Sequence, residues 1–225
     1  MREAALAALL GSSAFGLRVM QADGDCLYSA ISAGLGDGTT KDALRDVVAS
    51  SLTADVFDSY RAVSCMPGYE WAAACATLED ACAQIRKPRL VWADENALES
   101  LATSLGIALL IIDEEGVEAA GSKRGSRGSG GGGGSKFVVR GAQGPEDTVI
   151  ALVRSRRQHF NLVTHSGSPN LGPLSALSPT LRALFGMSAA AGGAKDELPA
   201  APPASKKQRL KSAGDVGDET SSPSG

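Results

Sequence analysis

The chain has four cysteines, and Cys26 directly follows a turn signal, Asp23-Gly24-Asp25. Gly24 tolerates the positive φ that such a turn needs. Asp25 is a residue type that caps helices, so Cys26 is expected to open a helix running to Ile31. A thiol there feels the positive end of the helix dipole, which favours thiolate over thiol. Asp23 and Asp25 push the other way, so a cationic imidazole is needed to complete the activation. The chain has only two histidines, His159 and His165. His159 stands in Gln158-His159-Phe160-Asn161-Leu162, which reads as a strand. Residues i and i+2 of a strand share a face, so Asn161 sits beside His159 and Phe160 turns into the core. An amide beside an imidazole fixes its tautomer and orientation, as the third member of a Cys-His-Asn triad does. Each piece also has a plainer reading: a small buried hydrophobe, a polar turn, a surface histidine at a strand end.

Those residues lie in four blocks that resemble a known family. Asp23-Gly24-Asp25-Cys26-Leu27-Tyr28 resembles the D-G-(D/N)-C-L-(F/Y) box of ovarian-tumour (OTU) cysteine proteases. Trp92-Ala93-Asp94, leading into Leu98, Leu101 and Ala102, is similar to that family's W-(G/A)-(D/G) helix start. The apolar run 107–112 is similar to the strand that follows it, and His159-Phe160-Asn161 resembles the closing H-(Y/F)-(D/N) motif. The blocks come in the family's order over roughly residues 15–165. The resemblance implies a papain-like catalytic centre and isopeptide hydrolysis on ubiquitin, polyubiquitin chains or a ubiquitin-like modifier. By position, Cys26 is then the nucleophile, His159 the general base and Asn161 the residue that orients it. Asp23 matches the family's active-site aspartate. Backbone N–H groups of Gly24, Asp25 and Cys26 would form the oxyanion hole. No metal or organic cofactor is implied. Asn161 stands where many members carry aspartate, and the glycine-rich stretch 121–135 departs from the pattern. Two rivals remain: an OTU fold that docks ubiquitin with little catalysis, and a cysteine hydrolase of another modifier or a small acyl substrate.

The elements that must position these residues follow from periodicity. Residues 4–10 form a short apolar run, read as a first helix rather than a signal-peptide core. Helical spacing marks 41–48, 71–85 and 94–105, the last stopped by Gly106. Strands are expected at 107–112, 136–140, 148–153 and 159–164. Helices first and strands after favour an α+β domain, a mainly antiparallel central sheet flanked by helices. Residues 1–166 are expected to form this domain, with 121–135 a disordered Gly/Ser-rich loop between two strands. Residues 167–225 read as a low-complexity tail in which 174–187 forms a short helix.

Composition narrows the partners. The 225 residues carry a net charge of -3, and no broad basic surface is implied, so nucleic acid is a poor match. Cys65, Cys75 and Cys82 fit no zinc module; Cys75 and Cys82, seven residues apart, fit one helix face turned to a core. The cysteine usage suits a reduced intracellular compartment. No stretch reaches the ~18 apolar residues that span a bilayer, so no membrane partner is expected. Arg154, Arg156 and Arg157 read as a solvated loop. Lys206, Lys207, Arg209 and Lys211 form a basic cluster of the kind that directs nuclear import. The expected state is a monomer, cytoplasmic or nuclear.

Overall fold

Helix starts in this chain are written in side-chain caps. Thr40 accepts from the Ala43 N–H at 3.2 Å and opens the helix Lys41–Ser51; Thr53 does the same for the helix Ala54–Ala62 through Val56 at 3.3 Å. Asp94 accepts from Asn96 and Ala97 at 3.0 and 3.1 Å and opens the helix Glu95–Leu105, which Gly106 closes in the left-handed region at φ 60. The computed structural model describes residues 1, 3–115, 137–141, 144–156 and 158–187. Within them the elements run α1 (Glu3–Leu10), β1 (Phe15–Arg18), α2 (Cys26–Leu35), α3 (Lys41–Ser51), α4 (Ala54–Ala62), α5 (Glu70–Ala73), α6 (Leu78–Arg86), α7 (Glu95–Leu105), β2 (Ile107–Asp113), β3 (Phe137–Arg140), β4 (Thr148–Ser155), β5 (His159–His165), a 3₁₀ turn (Leu174–Ala176) and α8 (Pro179–Leu184).

The strands form one sheet in the order β1-β5-β4-β2-β3. β1–β5, β5–β4 and β2–β3 pair antiparallel, and β2–β4 pair parallel. The chain is therefore α+β with a mainly antiparallel sheet flanked by helices. β2 and β4 at the centre are buried on both faces, which is why 107–112 is a continuous apolar run with no alternation.

Two cores lie on the two faces of the sheet. On one, Leu27, Ile31, Leu44, Val48, Ile85, Leu98 and Leu101 from α2, α3, α6 and α7 pack on Leu109, Ile111, Ile150, Leu152, Phe160 and Leu162. α2 lies so close to the sheet that a Cβ at Gly34 would come within 2.8 Å of the Ile150 side chain. On the other face, Leu6 and Leu10 of α1, with Leu174, Leu177 and Leu181, cover Leu110, Ile112, Val149, Ala151, Val153 and Val163.

Several expectations change. Residues 71–85 do not form one helix. Thr77 adopts an extended backbone, and it and Asp80 make a reciprocal capping box that starts α6 afresh. Cys75 therefore lies in the turn before that box and Cys82 on α6, so they do not share a helix. Cys75 is buried beside Phe57 and Ala81, and Cys82 donates to the Ala49 carbonyl at 3.1 Å. The segment 167–187, expected to belong to a tail, is part of the domain. Val149 and Leu171 exchange backbone bonds with this segment and β4 at 2.9 Å, and Leu174 N–H donates to the Asp147 carbonyl at 2.9 Å. β1 and α4 were not foreseen. The stretch 121–135, Arg157, and the basic cluster with the rest of 188–225 lie outside the described residues. Among the described residues no helix is long and apolar enough to cross a membrane.

Candidate active site

β5 carries His159 and Asn161 on one face and Phe160 and Leu162 on the other, where both enter the helix-side core. His159 Nε2 lies 3.1 Å from Asn161 Oδ1. The same oxygen accepts the Met20 backbone N–H at 2.9 Å, just after β1, so it is held as an acceptor. The His159 nitrogen facing it must then be the donor, which leaves the proton on Nε2 and a lone pair on Nδ1. Nδ1 is buried and has no hydrogen-bond partner among the described residues. Asn161 is itself buried, which fixes this tautomer away from competing water.

Cys26 is the first residue of α2 and is buried. His159 and Cys26 line one cavity of about 220 Å³, together with Ala22, Gly24, Trp92 and Arg156. The Cys26 Sγ is directed at the Gln158 carbonyl, 3.7 Å away. Burial pushes the thiol above its ordinary value; the N–H groups of Phe160 and Leu27 pull it down, Asp23 pushes it up, and burial wins. The helix start and its N–H groups therefore do not offset burial, and a thiolate here calls for a base. An imidazole that lines the same cavity has the chemistry for that role.

The loop before Cys26 departs from the expected oxyanion hole in one respect. The Asp25 N–H donates to Asp23 Oδ1 at 3.0 Å and is spent inside the turn. Among the described residues the Gly24 N–H makes no hydrogen bond and the Cys26 N–H acts only on its own sulfur, so two of the three expected donors are not spent inside the turn. Asp23 also faces Arg89 across 3.7 Å. Asp25 stands at the N-cap position of α2, but its side chain makes no cap bond. It turns inward and pairs with Arg45 and, at 3.5 Å, with Lys41. Gly24 is required: its φ is +87, and a Cβ there would lie 3.1 Å from the Arg89 carbonyl oxygen and 3.2 Å from Trp92 Nε1.

Residues that the sequence did not single out complete the site. Met20 anchors Asn161, Gln158 receives the thiol, and Arg45 and Arg89 hold the turn. None is visible from spacing, because each acts through backbone atoms or across more than 60 residues, Arg45 at 20 excepted. Arg154 is not in a solvated loop: it lies on β4, paired with Asp113 at 2.9 Å and with Glu95. Arg156 is exposed, with φ 51, and lines the cavity. His165 is at the other end of β5, against Phe15 in a tilted ring contact with centroids 4.7 Å apart. Among the described residues no cluster of three or more His, Cys, Asp or Glu could hold a metal ion.

A second, larger cavity of about 770 Å³ adjoins the first and shares Trp92, Ala93, Gln158 and Phe160 with it. Tyr60, Tyr69, Asp94, Glu95 and Asp113 lie along it. Tyr60 and Tyr69 hydroxyls donate to Asp94 at 3.1 and 3.4 Å, so the α7 cap is also a wall of this cleft.

No protein-family model matches the chain, and no curated protein matches it. Solved structures do. An ovarian-tumour domain in complex with ubiquitin is 15% identical, over 67% of this chain and 69% of that one, with a TM-score of 0.41. The OTUD1 OTU domain is 17% identical over 72% and 93% of the two chains, with a TM-score of 0.44. An OTU deubiquitinase from Wolbachia pipientis wMel is 12% identical over 68% and 90%, with a TM-score of 0.42. The solved structures to which this chain is similar are OTU domains.

Proposed function

We propose that this chain is a thiol hydrolase that releases ubiquitin or a ubiquitin-like modifier from isopeptide bonds. The observation that carries the thiol chemistry is the state of His159. Its Nε2–H is held by an anchored Asn161 oxygen, its Nδ1 is buried without a hydrogen-bond partner among the described residues, and the residue lines the same cavity as Cys26. Nδ1 takes the Cys26 proton, and the thiolate attacks the substrate carbonyl. The N–H groups of Gly24 and Cys26 face the developing oxyanion. The imidazolium returns its proton to the leaving amine, which departs and leaves a thioester on Cys26. Water, deprotonated by the same Nδ1, then releases the acyl group as a carboxylate. Asp23 shapes the turn by binding the Asp25 N–H.

The choice of ubiquitin rests on the four sequence blocks, and the adjoining cleft supports a polypeptide over a small acyl group. Its cavity is several times that of the thiol site and leads directly into it. Incubation with a panel of linked di-ubiquitins and ubiquitin-like fusions tests the reading. Cleavage is expected with the wild-type chain and none with Cys26→Ala; an intact panel opposes the assignment. One observation favours a second reading, a ubiquitin-binding module with little turnover: the thiol is buried and its pKa is raised. Binding of di-ubiquitin without cleavage by a folded wild-type chain would select it.

A further inference from the structure

Arg45 is fully buried, and its guanidinium is shared between the turn that precedes Cys26 and two backbone carbonyls beyond it. Nε donates to Asp25 Oδ1 at 3.1 Å, and Nη2 donates to the same carboxylate and, at 3.5 Å, to the Gly24 carbonyl. Nη1 donates to the carbonyls of Ile85 at 2.8 Å and Val91 at 3.3 Å. The plane stacks on Tyr28, in the first turn of α2, with Cζ 4.3 Å from the ring centroid. Asp25 Oδ1 also receives the Arg89 N–H at 3.1 Å, from a residue in the left-handed region at φ 65. One side chain thus ties α3, the end of α6, the 86–91 loop and the first turn of α2 to Gly24 and Asp25. Among the described residues the Gly24 and Cys26 N–H groups are not spent inside that turn, and both residues line the thiol cavity.

A buried ion pair contributes little to stability over a well-packed apolar pair, because desolvation offsets the attraction. A planar fork is suited to something else, the fixing of backbone groups in one orientation. We infer that Arg45, through Asp25, is a positioning residue that holds the Gly24 and Cys26 N–H groups where an oxyanion develops. The inference rests on Cys26 being the nucleophile and does not depend on ubiquitin being the substrate.

Two reactions of Cys26 separate this role from a merely structural one. With p-nitrophenyl acetate the thiolate adds to the ester carbonyl, the C–O bond breaks, p-nitrophenolate leaves and the acetyl group stays on sulfur. That path passes through an oxyanion. Iodoacetamide is displaced at a saturated carbon, sulfur gaining a bond as iodide leaves, and no oxyanion forms. Each rate is taken as the difference from Cys26→Ala, which removes the contribution of the other thiols. In Arg45→Lys the burst of p-nitrophenolate is expected to slow about tenfold or more, since loss of one oxyanion donor costs on the order of a hundredfold. Alkylation should stay within about twofold, because thiol access and the His159 pair are untouched. Asp25→Asn, which keeps an acceptor oxygen in the same place, should show the same divergence to a smaller extent. Unchanged acylation in both variants overturns the inference, as do parallel changes in the two reactions. Loss of the circular dichroism signal in both variants also overturns it, by assigning the pair to the stability of the fold. A wild-type chain without a burst above Cys26→Ala defeats Cys26 as nucleophile, whereas uncut di-ubiquitin with an intact burst defeats the ubiquitin assignment alone.

Discussion

The two faces of the sheet are covered in different ways. The helix-side face is closed by α2, α3, α6 and α7, four elements from the middle of the chain that also carry or brace the thiol turn. The opposite face is closed by pieces from the two ends of the described chain, α1 and residues 171–187. The first face joins packing to the proposed chemistry: Leu27 and Tyr28, next to Cys26, are almost fully buried, so the proposed nucleophile is held by the core itself. The pieces that cover the second face carry only packing: His159 and Asn161 project from that side of β5 at its start, outside this core, and His165 at the far end lies against Phe15 instead of facing a thiol. Substitutions at the site should therefore remove turnover and spare stability, while cuts on the opposite face should do the reverse.

The largest expected effect is at the site. His159→Ala should lower turnover by about a thousandfold or more, as loss of a triad base does, and Cys26→Ala should abolish it. Thermal denaturation of both should stay near wild type, since neither side chain is a large part of either core. A fall of many degrees in His159→Ala would break the division of labour between the faces.

Next comes the opposite face. A chain ending at Ser168 loses Leu174, Leu177 and Leu181, each of which contributes roughly 1.5–3 kcal/mol when fully buried. Against total stabilities of about 5–15 kcal/mol, that is enough to unfold a marginal domain. A chain ending at Met187 keeps all of this packing and should melt with the full-length chain. Equal melting temperatures for the two truncations would show that 171–187 is dispensable.

Asn161→Ala is expected to cost roughly ten- to a hundredfold in kcat with little change in KM, because the imidazole loses its orienting partner while the cleft is unaltered. It should also loosen the junction with β1, since the Met20 N–H loses its acceptor. A change confined to KM would place Asn161 in substrate contact instead.

The smallest effect is an acid limb. Burial opposes the Asp25 charge, but the Arg45 and Arg89 hydrogen bonds and the Arg45 and Lys41 charges outweigh it, so its pKa is lowered in the folded state. A lowered carboxyl pKa contributes stability that is complete above the unfolded value of about 3.9 and is lost as pH falls through the folded value. Denaturation below about pH 3.9 should show wild type losing its advantage over Asp25→Asn as pH falls. A constant gap across that range would remove Asp25 from the acid response.

How far the sequence could be read follows the same division. On the helix-side face, amphipathic period, threonine and aspartate caps and four ordered motifs marked α3, α7, β2, β4 and β5. It missed the Thr77–Asp80 capping box, because the apolar spacing of 71–85 continues through the break. β1 is only four residues long and has no strict alternation, so nothing in it announced a strand, although it leads to the backbone group that anchors Asn161. On the opposite face, Leu174, Leu177 and Leu181 sit among Ser, Pro, Ala and Gly, and composition pointed to a tail. Their burial is set by the apolar face of β4 and β2 that needs covering, which is a tertiary fact. Arg45 was passed over for a similar reason: a charged residue in an amphipathic helix reads as solvated until its partner, 20 residues away, is known.

The central claim is that Cys26, with His159 as its base, performs acyl transfer on ubiquitin. Ubiquitin bearing a C-terminal electrophile tests it in one measurement, with the adduct mapped by mass spectrometry. The account predicts a single adduct on Cys26, strongly weakened in His159→Ala. Labelling at Cys65, Cys75 or Cys82, or no adduct with the folded chain, would contradict it.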